Sequence, residues 1–318
     1  GQWETIYDYK VWRHKMTSVD AYAMMVILEE FNLTSSATLF VYNEDKSYIA
    51  GPYTNQYNNE AQILPIRLIP GDNLTVELIY HISDTEIPNF VITSISHDYR
   101  DILGIVAEDK FEDDNDLLEC HNDINCPEGN DWQVEKRSVA RIVFDGSYQC
   151  TETLINMTKP TGTPLFLTAN HCYDNTQQVN SSIFYFNHES ETCNKGDEGE
   201  EKHIIEGAMP RANHPDTDFQ LIELNARLPS SYRPFFAGWV RDNIPRNSTV
   251  IHQPLGYRKK ISSDADNAAT NINPIVITDP FTGNVVINVP TGNAFPVGLD
   301  NDTTEGRSWW YVLYQGHG

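Results

Sequence analysis

The chemistry of this chain begins at a histidine that closes an apolar run. In Pro164-Leu165-Phe166-Leu167-Thr168-Ala169-Asn170-His171-Cys172, an apolar strand ends in Thr168-Ala169, and His171 follows beside Cys172. A general base for a serine nucleophile must be held rigidly, with one ring nitrogen facing the hydroxyl and the other fixed by an acceptor. A strand end tied by a disulfide at the next residue gives that rigidity. A lone His beside a structural Cys is more often plain packing; an acidic partner changes that. Asp216-Thr217-Asp218-Phe219-Gln220-Leu221-Ile222-Glu223-Leu224 places Asp218 just before an apolar strand. Such an Asp can be buried against the His, fixing its tautomer and stabilising the imidazolium. An Asp before a strand is also common turn chemistry, and Asp216, directly after Pro215, is read that way.

Other chemistries find less support. The five cysteines, Cys120, Cys126, Cys150, Cys172 and Cys193, contain no C-x-x-C pair and match no zinc signature. In a secreted protein they would pair, and an odd count leaves one over. No metal or cofactor is called for: Asp113–Asp116 is acidic, but an EF-hand spacing is absent. The net charge of −23 argues against nucleic acid, which needs clustered Lys and Arg. It suits extracellular solubility and, more weakly, attraction of basic substrates. No run of 18 apolar residues is present to span a bilayer. The chain opens at Gly1 with no basic-then-apolar leader, so a signal peptide is expected to be removed or to lie upstream. Six N-x-S/T sequons, at Asn32, Asn73, Asn156, Asn180, Asn247 and Asn301, are glycan candidates on surface loops if the source is a secreting eukaryote.

The elements that must position His171 and Asp218 read as strands. Helical periodicity is scarce, and short β-branched or alternating runs dominate: Ala37 to Tyr42, Leu74 to Tyr80 and Phe90 to Ile95. Ala21 to Leu28 reads as a buried strand. Pro70-Gly71-Asp72-Asn73 marks a turn, since Pro presets φ and Gly allows φ > 0. An acidic stretch centred on Glu112-Asp113-Asp114-Asn115-Asp116 has little to bury and reads as a linker. It divides a cysteine-free N-terminal domain, 1–107, from a cysteine-bearing one, 120–318, with the linker over 108–119. Further strands are expected at Ser138 to Phe144, Ser182 to Phe186, Phe219 to Leu224, Thr249 to His252 and Trp309 to Tyr314. Pro274 to Thr278 and Asn284 to Val289 flank a five-residue loop and read as a hairpin inside a surface insertion from Asp264 to Gly306.

From Cys120 to about Gly318 the chain resembles the bacterial lysyl endopeptidase branch of the trypsin-like serine proteases. The matching pieces fall in family order. They are Cys120 to Gly129, Val139-Ala140-Arg141-Ile142, Cys150-Thr151 through Leu154-Ile155-Asn156, Phe166 to Cys172, Asp218-Phe219 with Leu224-Asn225, Phe236-Ala237-Gly238-Trp239, and Ile251-His252-Gln253-Pro254 with Lys259-Lys260-Ile261-Ser262. The N-terminal part is similar, less closely, to the pro-region of such relatives. It matches at Ala37 to Asn43, Gly51 to Thr54, Pro70-Gly71-Asp72 and Asp98-Tyr99-Arg100. The resemblance implies an all-β protein: an N-terminal β-sandwich, then a trypsin-like double β-barrel. It implies His171 as general base and Asp218 as its orienting carboxylate. It implies disulfides Cys150–Cys172 and Cys126–Cys193, with Cys120 pairing to a cysteine downstream of the nucleophile, which these residues do not include.

Two departures stand out. The family's Gly-Ser-Ser-Gly-Ser-Pro type loop is absent: no Gly-x-Ser-Gly occurs, and Ser262, Ser263 and Ser308 lack the glycine-flanked context of an oxyanion hole. The odd cysteine and the absent serine are both explained if the sequence stops short of the nucleophile, leaving the second barrel incomplete. Glu152 stands where the family has Gly after Cys-Thr, close to the cleft, and Gln253 replaces the second His of a His-His-Pro motif. The expected function is that of a secreted serine endopeptidase cutting after Lys, with peptide or protein substrates and a C-terminal fragment of the same precursor as partner. The isolated 318 residues are expected to be inactive. The competing expectation is an inert protease-like scaffold serving as a secreted structural or binding protein.

Overall fold

The computed structural model describes residues 1–103, 122–146, 148–158, 161–193, 203–238, 248–264, 275–278 and 285–289. The described residues are almost entirely strand, turn and short 3-10 segments, so the fold class is all-β.

The N-terminal part has eight strands: β1 (Gln2–Ile6), β2 (Tyr9–Thr17), β3 (Ala23–Asn32), β4 (Thr38–Asn43), β5 (Ile49–Tyr53), β6 (Leu64–Pro70), β7 (Asn73–His81) and β8 (Asn89–Asp98). They form a five-stranded sheet, β1-β2-β7-β4-β5, and a three-stranded sheet, β6-β3-β8. Leu39, Val41, Val76 and Leu78 of the first meet Met24, Val26, Leu28 and Ile66 of the second in one core. This is a β-sandwich, built from the period-2 alternation that puts every second side chain on one face. The turn between β6 and β7 carries Gly71 at φ +102°, the conformation the Pro-Gly pair called for.

The second part contains β9 (Asn122–Asp123), β10 (Val139–Phe144), β11 (Tyr148–Ile155), β12 (Leu165–Ala169), a short helix α1 (Thr176–Asn180), β13 (Ile183–Phe186), β14 (Ile204–Glu206), β15 (Ala208–His214) and β16 (Phe219–Leu224). Seven of these strands make one sheet in the order β14-β13-β10-β11-β12-β16-β15. Its two edge strands, β14 and β15, are consecutive in the chain and separated only by Gly207. The sheet therefore curls until its edges meet at that residue. Gly207 has φ +81°, and a Cβ there would lie 2.4 Å from Asn225 Nδ2. Ala140, Ile142, Leu154, Phe166, Phe184 and Ile222 fill the curl.

A three-stranded sheet follows, β17 (Ser248–His252), β18 (Lys260–Asp264) and β9, in the order β17-β18-β9. A hairpin pairs β19 (Ile275–Thr278) with β20 (Val285–Val289), as the flanked turn at Asp279–Gly283 suggested. The acidic stretch 108–119, Cys120, Asn247, Asn301 and Trp309–Tyr314 lie outside the described residues. Of the sequons that are described, Asn32 and Asn156 are exposed and Asn73 is half-buried, whereas Asn180 is only 7% exposed at the end of α1. Asn180 therefore does not sit on a surface loop: it is a buried residue that ends a short helix. Among the described residues no helix is long and apolar enough to cross a membrane.

Candidate active site

Strand register brings the two chemical residues together. β12 and β16 are antiparallel neighbours, with Thr168 opposite Gln220 and Ala169 opposite Phe219. The chain leaving β12 and the chain entering β16 thus occupy the same end of the sheet. Asn170 N–H donates to Asp218 O at 2.9 Å, continuing the ladder one step past the strands. The segment Asn170–Cys172 then turns as a single 3-10 turn, placing His171 over Asp218.

Asp218 grips His171 twice. One carboxylate oxygen accepts the His171 backbone N–H at 2.8 Å, and the other lies 2.6 Å from the ring Nδ1. With Nδ1 donating to the carboxylate, Nε2 is left as the free ring nitrogen. The His171 side chain is 74% exposed and that of Asp218 23%. Asp218 follows the turn Pro215–Thr217 at φ 52°, a left-handed conformation that Asp tolerates better than most residues. Asp216 lies within that turn, the role its position after Pro215 suggested.

The loop carrying His171 is anchored from behind. Cys172 is bonded to Cys150 of β11, and Cys126 is bonded to Cys193. Tyr173 O–H donates to Glu152 Oε1 at 3.0 Å, and Ser182 Oγ donates to Tyr173 Oη at 3.1 Å. Glu152, which stands where the family has Gly, is 1% exposed, with its side chain in the interior. The alternation of β11 turns Glu152 and Leu154 together into the interior, where Glu152 meets Tyr173. Burial pushes the Glu152 carboxyl well above the usual carboxylate range, and burial beside Glu152 pushes the Tyr173 hydroxyl up. No sequence pattern marks Tyr173 beyond its place directly after His171-Cys172.

Gln253 is also structural here. It is 4% exposed, its backbone N–H donates to Thr151 Oγ1 at 3.0 Å, and its side-chain amide donates to His188 O at 3.1 Å. It stitches the three-stranded sheet to the curled one. Next to it lies a buried charge cluster that no sequence pattern announced. Lys259 is fully buried, donates to Lys136 O at 2.8 Å, and lies 3.5 Å from Glu189. Burial pushes its amine down to about 8. Burial, reinforced by Arg141, Arg258 and Lys259, holds the His188 ring well below its ordinary range. Burial raises the Glu189 carboxyl, but Lys259 and Lys136 outweigh it and hold that carboxyl low. Among the described residues no group of three His, Cys, Asp or Glu is placed to hold a metal ion.

An all-β domain that presents an aspartate-held histidine at the end of a curled sheet has the character of a trypsin-like protease domain. Comparison with known proteins gives the narrower assignment. The family profile "Lysyl endopeptidase, C-terminal domain" matches residues 115–308, more than half of the chain. The chain belongs to the lysyl endopeptidase family. It is 28% identical over 220 residues to a protein described as "Lysyl endopeptidase" from Pseudomonas aeruginosa, a match that covers 61% of this chain and 44% of that protein. The chain thus spans less than half the length of that curated relative. Two solved structures are similar to it: the inactive form of the Rv3671c protease, at TM-score 0.28 and 17% identity, and the MamO protease domain from Magnetospirillum magneticum, at 0.27 and 6%. Each match covers 48% of this chain, and 63% and 70% of the respective structures.

Proposed function

We propose that this chain is part of a secreted serine endopeptidase, with His171 as general base, Asp218 as its orienting carboxylate, and a serine outside residues 1–318 as nucleophile. The observation that carries this reading is the double grip of Asp218 on His171, which fixes the ring while leaving Nε2 free. In that role Nε2 takes the serine proton as the hydroxyl attacks a peptide carbonyl, and returns it to the leaving amine. The Asp218 carboxylate stabilises the imidazolium that forms between those steps. Family membership and the lysyl endopeptidase description of the Pseudomonas aeruginosa relative support peptide bonds after Lys as the substrate class. The excess of 45 acidic over 22 basic residues suits a basic P1 side chain, and the two disulfides suit an oxidising, extracellular location.

Labelling of the purified full-length protein with a fluorophosphonate tests this. The protein should react, and His171→Ala should slow labelling by about a thousandfold or more. No reaction from folded wild-type protein would leave the competing reading, a protease-derived scaffold without the chemistry.

A further inference from the structure

β10 is buried at all six positions, although only every second side chain can face the core of the curled sheet. Ala140, Ile142 and Phe144 fill that core. Val143 points the other way, and it is covered by the sandwich. Val143, Tyr185 and Ile204 form one apolar cluster with Met25, Ile27 and Leu68, none of them more than 5% exposed. β3 shows the same pattern from its own side: Met24, Val26 and Leu28 serve the sandwich core, and Met25 and Ile27 serve the cluster.

A charged knot sits at the edge of this cluster. Glu206, at the end of β14, accepts from Arg67 Nε at 2.9 Å, from the Arg67 backbone N–H at 3.2 Å and from Tyr53 Oη at 2.6 Å. The Glu206 side chain is 2% exposed and that of Arg67 22%. Burial and Glu206 push the Tyr53 hydroxyl well up; Glu206 also raises Arg67 against the lowering effect of burial. An apolar core with a desolvated ion pair is the anatomy of a permanent interface, whereas contacts that open and close are more polar. All these contacts lie on the β14-β13-β10 half of the sheet. His171 and Asp218 lie at the ends of β12 and β16 in the other half, where the His171 side chain is open to solvent.

We propose that the N-terminal sandwich is a permanent partner of the curled-sheet domain. It stays bound when the chain between the two is severed, and it leaves the His171–Asp218 face uncovered. The sandwich is then a stabilising body on the back of the domain and not a plug of its active site. Without it, Val143, Tyr185 and Ile204 would form an apolar patch in water.

A cleavage site for a sequence-specific protease, inserted between Glu108 and Glu119 of the full-length protein, tests the pairing. The cut, non-denatured material is passed over a sizing column at about 1 µM. The two fragments should co-elute. Glu206→Ala should weaken their association at least tenfold, because Arg67 and Tyr53 lose their buried acceptor. Arg67→Ala leaves the curled-sheet domain unaltered and should weaken it similarly, which keeps the test decisive if Glu206→Ala misfolds. Gln177→Ala removes only the rim bond to Glu29 and should change little. Separate elution of the wild-type fragments overturns the pairing, as does unchanged association in folded Arg67→Ala. For the open face, diethyl pyrocarbonate should modify His171 at the same rate, within about threefold, in the cut wild-type protein with its sandwich bound and in cut Arg67→Ala protein from which the sandwich has been separated. Faster modification once the sandwich is gone overturns that part. Neither readout requires hydrolysis, so both stand apart from the outcome of fluorophosphonate labelling.

Discussion

At the residue scale the site is a problem of holding one imidazole still. Asp218 does this by accepting from both the backbone and the ring of His171, so the ring cannot rotate without losing a charge-assisted bond. Behind the ring, Glu152 is an unusual choice for the interior of a curled sheet. Its folded-state carboxyl titrates well above the ordinary value of 4.5, through burial. The folded state therefore holds a proton that the unfolded state releases above that pH. The stability linked to Glu152 is present at acid pH and is lost as pH rises from 4.5 toward the folded value, at up to about 1.4 kcal/mol per unit. Glu152→Gln removes that proton and should flatten the decline, so that the variant overtakes wild type in urea melts at neutral and alkaline pH. Equal pH slopes for the two proteins would show that Glu152 is ionised when folded. His171 and Asp218 were legible in the sequence because each adjoins an apolar strand. The inward turn of Glu152 was not, since alternation in Gln149-Cys150-Thr151-Glu152-Thr153-Leu154 does not say which face meets the core.

At the element scale, pairing register does the positioning. Ala169 opposite Phe219 puts the exits of β12 and β16 side by side, and the Cys150–Cys172 bond pins the turn between them to β11. Breaking that bond in Cys150→Ser/Cys172→Ser opens a loop of 22 residues and should cost about 3 kcal/mol, read as a fall in Tm of roughly 10 °C. Breaking Cys126–Cys193, which closes 67 residues, should cost somewhat more. Only the first pair adjoins His171, so only its loss should broaden or shift the His171 ring signals in an NMR spectrum; the same change from the second pair would count against local pinning. Strands with clear alternation, such as β7 and β16, were readable from sequence. β15 was not, because Met209-Pro210-Arg211-Ala212-Asn213-His214 is polar, irregular and interrupted by proline. Its strand character comes from its neighbour β16 and from Gly207, which lets the chain bend from β14 into β15.

At the scale of the whole molecule, three bodies meet on buried polar residues that no local pattern reveals. Glu206 joins the sandwich to the curled sheet, and Lys259 joins the curled sheet to β17 and β18. Lys259 N–H donates to His188 O at 3.0 Å, and Lys259 O accepts from Ile124 N at 3.2 Å, so the backbone at this lysine ties the segment after β13 to the segment after β9. Its amine is out of water and titrates at about 8 when folded, against 10.5 when exposed. Here the sign is opposite to that of Glu152. Below pH 8 both states carry the proton and the full burial penalty is present. Between about 8 and 10.5 the folded state gives up a proton that the unfolded state keeps, so stability from this group rises with pH. The total rise is on the order of 3 kcal/mol. Tyr53 and Tyr173, both raised by burial, act in the opposite direction above their ordinary value of 10.0, so the window to measure is pH 8 to 10. Lys259→Met keeps the apolar stem and removes the titration. Relative to wild type it should be at its best near pH 7 and lose that advantage steadily across the window. A difference between the two proteins that does not change with pH would show that Lys259 titrates as an exposed lysine does, and that its amine is not the buried joint between the two sheets.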